Sequence, residues 1–309
     1  MTTLAPPAAR RSRATRLAAV LLGRQPIGML FGAPYAAFIV LLFAYPLGLA
    51  VWMSFHRYFF TAPGVSVPRP FVGLANYRAA LTDPQVIQSF VNVGIFLIIN
   101  VPLTVVLALG LATALNAAIP FRSFFRTSYY VPYVTASVAV VGVWLFLFGS
   151  GGLVNHVLGG LAPSPSWLIN PNWAMPSIAL FVTWKQLGFF ILLYLAALQN
   201  VPRELYESAS VDGASAWNRF WAVTVPGVRP ATTLVTLLAT IVGANLFTEP
   251  YLLTGGGGPS GHSASPVLLM YQRGIEQGHP DVASAIGVVL VLLILAIVGV
   301  QQLVGRSSA

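Results

Sequence analysis

The chain contains no cysteine, which excludes disulfides, thiolate metal centres and cysteine nucleophiles. Charge is also scarce: only 7% of the 309 residues are Asp, Glu, Lys or Arg, while 57% are hydrophobic. That balance is too apolar for a soluble domain of this size. Acidic residues number 7, and a single lysine stands beside many arginines, leaving a net charge of +9. Basic residues spread this thinly cannot line a nucleic-acid groove, so no nucleic-acid partner is expected. On an apolar chain they report membrane topology instead. The histidines, His56, His156, His262 and His279, never stand at i, i+4, so no helical zinc motif is present. No H-E-x-x-H, G-x-S-x-G or close carboxylate pair supports an intramembrane enzyme.

What the chain has in abundance is long apolar runs. Spans are expected at about 29–53, 90–115, 129–148, 174–198, 231–254 and 282–304, giving an all-α integral membrane protein surrounded by membrane lipids. The first covers roughly 37 Å at helical rise, enough to cross with some tilt. Pro34 and Pro46 inside it are tolerable where neighbouring helices cover the exposed backbone. Residues 1–28 carry Arg10, Arg11, Arg13, Arg16 and Arg24 and read as a disordered or surface-lying cytoplasmic leader. The rival, a signal peptide or twin-arginine signal, is disfavoured because the apolar run that follows is too long and lacks a convincing cleavage site. Residues 149–173 have no formal charge and include Trp167 and Trp173, which suits an outer interface. With the N-terminus inside, Arg57, Arg69, Arg78 and Arg273 fall outside and the other arginines inside. That asymmetry favours cytoplasmic termini.

One long polar stretch interrupts the apolar second half, from Pro202 to Pro230. It holds Glu204, Glu207, Asp212, Arg203, Arg219 and Arg229. Pro202 suits a first helical turn, and Glu204 and Glu207 favour its positive end. Asp212-Gly213 breaks that helix. Ser215 caps a second one, through Trp217, Phe220 and Trp221, which Pro226 ends. A loop between spans has no core to bury Leu205, Tyr206, Val211 and the aromatics, so a partner surface is the economical explanation.

The spacing Glu207-Ser208-Ala209, three residues, Gly213-Ala214, then Val223-x-Val225-Pro226 resembles the Glu-Ala-Ala loop of binding-protein-dependent ABC importer permeases. Ser208, Val223 and Val225 are conservative departures from that pattern. Phe71-Val72-Gly73-Leu74 with Asn76-Tyr77 is similar to the outer loop after the first span of such permeases. Arg126, Tyr129-Tyr130, Pro132, Trp144 and Gly152-Leu153-Val154-Asn155 resemble the carbohydrate-uptake branch related to maltose and glycerol-phosphate permeases. The resemblance implies a type I importer permease of the bacterial cytoplasmic membrane, with six spans. In it, the loop 202–230 is a coupling helix in which Glu207, Ala209, Asp212, Gly213, Ala214 and Pro226 matter most. It further implies a second homologous permease chain, two cytoplasmic ATPase subunits and an extracytoplasmic substrate-binding protein. ATP and Mg would be bound by those ATPases, and no cofactor by this chain.

Gly256-Gly257-Gly258-Pro259-Ser260-Gly261-His262-Ser263 nearly spells a phosphate-binding loop, but His262 replaces the lysine and no strand precedes it. The run from Leu253 to Pro259 instead resembles the glycine turn closing the fifth span of sugar-importer permeases. With no Walker motif elsewhere, the chain is not expected to hydrolyse ATP.

Lys185 and Glu249 are the only formally charged residues within the expected spans, which makes them functional candidates. Their depths differ by ~9 Å, a gap that Lys185 bridges if it extends along its helix. Two readings stand: a paired charge or snorkelling lysine, or groups lining a translocation path. Trp184, Gly188, Asn245, Phe247 and Tyr251 share the same two spans. Aromatic faces and amides suit sugars, yet membrane helices also pack through such residues. Asn92 and Asn100 in the second span read as interhelical hydrogen-bond formers. The expected function is sugar or sugar-like uptake. A glycerol-phosphate or polyol permease, or an ion-coupled secondary transporter, remains the alternative, the last thinly supported by one shallow carboxylate.

Overall fold

The computed structural model describes residues 26–62, 64–117 and 120–307; most of the basic leader expected over 1–28 lies outside them. The chain divides into two units, Met1–Trp52 and Met53–Ala309. In the first, α1 (Pro26–Ile39) passes through a wide turn, Val40–Ala44, into α2 (Tyr45–Ser54), whose end belongs to the second unit. The wide turn has a local cause. Tyr45 donates its N–H to Val40 one residue further back than in an α-helix. Pro46 then follows with no N–H to place. From Phe31 to Trp52 the large apolar side chains of this unit are mostly exposed, as a helix in lipid permits.

The second unit contains α3 (Ala75–Thr82), α4 (Pro84–Asn116), α5 (Arg122–Val134), α6 (Ser137–Phe148), α7 (Leu153–Leu158) and α8 (Ala174–Leu198). After these come α9 (Arg203–Val211), α10 (Ala216–Arg219), α11 (Val225–Gly227) and α12 (Arg229–Ala244). The last are α13 (Thr248–Leu253), α14 (Pro266–Tyr271) and α15 (Pro280–Ser307). Among the described residues no strand forms beyond an isolated His56–Phe71 bridge. Among the described residues, five helical segments are long and apolar enough to cross a membrane, or six if the bent pair Ala216–Gly227 and Arg229–Ala244 counts as one.

The core is built on α8, which runs alongside α4 and α12. Ala108, Leu109, Ala112 and Leu115 of α4 meet Phe190, Ile191 and Tyr194 of α8 and Val235 and Ala239 of α12. Small residues on α4 let the backbones approach, the usual route to tight packing where lipid gives no hydrophobic drive. Asn100 Nδ2 donates to Thr183 Oγ1 at 2.7 Å. Asn92 Nδ2 reaches the carbonyls of Gly261 and Ala264 at 2.8 and 2.9 Å, so both span asparagines hold elements together.

Three expectations need correcting. The run expected as one span over 129–148 is two helices, broken where Thr135 is extended (φ −76, ψ 140). The Thr135 hydroxyl donates to the Val131 carbonyl at 2.7 Å, so side chain and backbone compete for the same acceptor. The run expected over 231–254 is also broken, between α12 and α13. A helix continuing through Pro250 would leave the Leu246 carbonyl without a donor, because proline has none; the Ser265 hydroxyl supplies it instead. Pro226, expected to end the second polar helix, lies inside α11. Val225 donates to Phe220 across another wide turn, so a proline again follows a turn in which its missing N–H costs nothing.

Candidate functional site

Two places in the second unit gather the residues singled out by sequence. The first is where α6, α8 and α13 meet. Lys185 on α8 donates to the Ser137 hydroxyl at the start of α6, and its ammonium lies 3.5 Å from the Glu249 carboxylate. Each side chain is only 12% exposed, so the pair is shielded yet reachable. The break before α13 makes this possible, because it sets Glu249 in the first turn of a separate short helix. Trp184 is partly exposed beside Lys185, its ring 5.8 Å from Trp144 and 6.4 Å from Phe181.

Phe247 and Tyr251 stack with centroids 5.6 Å apart and planes inclined by 12°. Tyr271 on α14 sets its edge on both, at 5.4 and 6.0 Å. Tyr271 was not foreseen, since it follows the glycine-rich turn outside any expected span; an aromatic closing a short helix there was its only signal. Two candidates are otherwise engaged. Asn245 closes α12 and donates its side-chain N–H to Ile241 at 2.7 Å. Gly188 packs on α5: an added Cβ would stand 2.1 Å from the Tyr129 carbonyl oxygen. Gly188 therefore serves helix contact.

The glycine-rich turn behaves as a structural clasp. Gly255, Gly256, Gly257 and Gly258 all have positive φ, a conformation that disfavours side chains. Ser263 Oγ donates to Thr254 Oγ1 at 2.8 Å, and Gln272 Nε2 to Gly256 at 3.1 Å. The turn thus joins α13 to α14 and, through Asn92, to α4.

The second place is the knuckle formed by α9 and α10. Its hinge follows a capping pattern that explains the spacing read from sequence. Ala214 donates to Ala209 at 2.9 Å and Gly213 to Ser210 at 3.1 Å. Gly213 has φ +77, and together these form the paired closure of a helix end around a left-handed glycine. Ala209, Asp212, Gly213 and Ala214 are therefore one local device. Ser215 Oγ then accepts from Asn218 N at 3.2 Å, capping α10. Arg219 Nη1 donates to Ser210 Oγ at 2.7 Å, and Tyr206 OH and Thr224 Oγ1 lie 3.0 Å apart, so both limbs are cross-braced. Glu207 and Pro226 are exposed, and Glu207 makes no ion pair among the described residues.

The knuckle's apolar face is turned outward: Val211 is 88% exposed and Trp217 67%, with Leu205 and Trp221 beside them. Its base is anchored, since Val201 and Val228 are buried in the α4–α8 core. A rigid platform presenting aromatic side chains suits docking to a protein surface. Among the described residues no cluster of His, Asp and Glu suits a metal ion.

The chain is similar to known proteins over most of its length. The chain is 31% identical to the sulfoquinovosyl glycerol transport system permease protein SmoG of Agrobacterium fabrum, over 93% of this chain and 92% of that one. It is 33% identical to the arabinooligosaccharides transport system permease protein AraP of Bacillus subtilis, over 87% and 85%. A bacterial alginate ABC transporter, solved in complex with an alginate pentasaccharide-bound periplasmic protein, has a chain that superposes with TM-score 0.74 at 22% identity. That match covers 94% of this chain and 97% of the other, showing a shared fold. The family described as binding-protein-dependent transport system inner membrane component matches residues 105–307, and the chain belongs to it.

Proposed function

We propose that the chain is the permease subunit of an ATP-driven importer that moves a sugar or sugar-like solute into the cytoplasm by alternating access. The observation that carries this reading is the knuckle: two braced short helices with exposed Leu205, Val211, Trp217 and Trp221. A cytoplasmic ATPase subunit seats there, and closure of an ATPase dimer around ATP and Mg moves the knuckle and reorients the helices behind it. A second permease chain and an extracytoplasmic binding protein complete the assembly. Residues 29–309 form the permease, with 202–230 as its cytoplasmic coupling loop and α12 as part of its fifth span, both termini cytoplasmic, and 1–28 as a leader.

The substrate class is argued from the first site. Lys185 is matched by Glu249 at 3.5 Å, so the pair carries no excess charge with which to hold a phosphate. Phe247, Tyr251 and Tyr271 offer ring faces beside it, and such faces suit the apolar sides of a sugar. The named solutes of SmoG and AraP are sugar derivatives, which favours the same class. The test is reconstitution of the full assembly in proteoliposomes, with uptake of a panel of labelled sugars, polyols and glycerol phosphate measured with and without ATP. Uptake of a neutral sugar only with ATP is expected. Uptake independent of the ATPase subunits would overturn the reading.

A further inference from the structure

Arg122 and Arg126 open α5 one helical turn apart, so their side chains leave the same face. Arg122 Nε and Arg126 Nε and Nη2 are enclosed by protein atoms and have no hydrogen-bond partner. Neither residue takes part in an ion pair among the described residues. A guanidinium stays charged at every physiological pH. Two such groups side by side, partly stripped of water and unpaired, are unfavourable on their own. The arrangement calls for an anion with several acceptor oxygens.

The surroundings identify the anion. Leu115 at the end of α4 and Leu198 at the end of α8 share one core cluster, so these helices finish at the same level. α5 begins shortly after α4 ends, which sets the arginines at that end, the one from which the knuckle departs. Phe121, Phe124 and Phe125 flank them and are exposed, Phe121 to 80%. Phenylalanine has no polar edge to offer a protein surface rich in water, but it inserts readily among acyl chains at the headgroup boundary. Positive charge beside exposed apolar rings, at the end of membrane-length helices, is complementary to an anionic lipid.

We propose that Arg122 and Arg126 form a binding site for the phosphate of an anionic glycerophospholipid, with the three phenylalanines seated in the acyl region. The guanidinium nitrogens that are not enclosed, Arg122 Nη1 and Nη2 and Arg126 Nη1, hold the phosphate oxygens. Filled, the site fixes the start of α5 at the membrane surface. This does not depend on the transported solute.

The test uses the full chain in mild detergent, with phosphatidylglycerol and phosphatidylcholine offered at equal mole fraction and retained lipid counted by native mass spectrometry. Phosphatidylglycerol is expected in clear excess, and Arg122→Gln or Arg126→Gln each to lower that excess about fivefold. Arg126→Lys keeps the charge without the fork and is expected to fall between. Arg78→Gln, an exposed arginine on α3, is expected to change nothing. The lysine exchange keeps the test decisive should either glutamine variant fail to fold. Equal retention of both lipids, or an unchanged preference in the single variants, overturns the proposal. So does displacement of the lipid by millimolar inorganic phosphate, which marks a free-anion site. A crosslink from residue 122 to another subunit, with no lipid preference, overturns it in favour of a protein carboxylate.

Discussion

The Ser265 hydroxyl donates to the carbonyl oxygen of Leu246, the acceptor that Pro250 leaves without a helical donor. The Ser265 Oγ in turn accepts from Leu268 N at 3.1 Å, capping α14. One buried side chain thus closes the break before Glu249 and starts the next helix. Ser265→Ala removes both bonds and leaves a buried carbonyl unsatisfied, at a cost of about 1–3 kcal/mol. The thermal unfolding midpoint of the purified chain is expected to fall, with Ser265→Thr recovering most of the loss. An unchanged midpoint for the alanine variant would show that the hydroxyl does not hold the break.

The ion pair beside that break is expected to behave as a unit. Glu249→Gln leaves the Lys185 ammonium shielded with only Ser137 to meet it, and Lys185→Gln strands the carboxylate. Each single change is expected to be more harmful than the double change, because an unpaired charge costs more than a lost pair. A double-mutant cycle on unfolding midpoints should return a coupling of about 1–3 kcal/mol. Additive effects would mean that the 3.5 Å approach has no energetic content. If the pair also meets the solute, both single variants raise the KM for uptake.

The aromatic group around Phe247 makes a separate prediction about the solute. Tyr271→Ala removes the ring that sets its edge on both Phe247 and Tyr251, loosening their stack. Uptake is expected to show a raised KM with little change in maximum rate, while Tyr271→Phe stays near the parent. The effect should be about 1 kcal/mol, the scale of an aromatic pair, or about fivefold in KM. Equal KM values for parent and Tyr271→Ala would remove the ring from the substrate path.

The sequence was informative wherever one local device sets the geometry. The knuckle was legible because Gly213 needs a left-handed backbone and Ser215 supplies a cap, both readable from residue type and spacing. The Lys185–Glu249 pairing was legible as well, since charges this rare in apolar runs must find partners. The breaks were hidden for the opposite reason. Whether Pro250 ends a helix depends on Ser265, a residue in another segment that supplies the missing donor, and no periodicity reports that. Tyr271 was hidden for the same reason: only the folded glycine turn carries it to Phe247. Gly188 misled because its small size suits a path and a helix contact equally, and only the position of Tyr129 separates them.

Gly188→Ala tests that contact. The added Cβ would stand 2.1 Å from the Tyr129 oxygen and 2.7 Å from the Tyr130 Cα, and backbone cannot swing aside as a flexible side chain does. Either α5 shifts or the contact opens, at a cost on the order of 1–3 kcal/mol. The expected reading is a lowered unfolding midpoint with an unchanged substrate preference. A changed preference with undiminished stability would return Gly188 to the path.

The knuckle hinge yields a ranking of substitutions. Nothing lies within 4 Å of a Cβ added at Gly213, so only its φ of +77 resists a side chain. Alanine there is expected to cost about 1–2 kcal/mol of backbone strain. Asparagine, which tolerates this conformation better, is expected to cost less. Proline cannot adopt a positive φ, and it also removes the N–H that bonds to Ser210. If the knuckle transmits ATPase closure, coupling of hydrolysis to uptake in the reconstituted assembly should fall in the order Gly, Asn, Ala, Pro. Total chain and lipid content should stay unchanged, because the hinge touches no core residue. A Gly213→Pro chain that still coupled hydrolysis to uptake would contradict the role assigned to the bend, whatever the exposed Trp217 and Trp221 rest against.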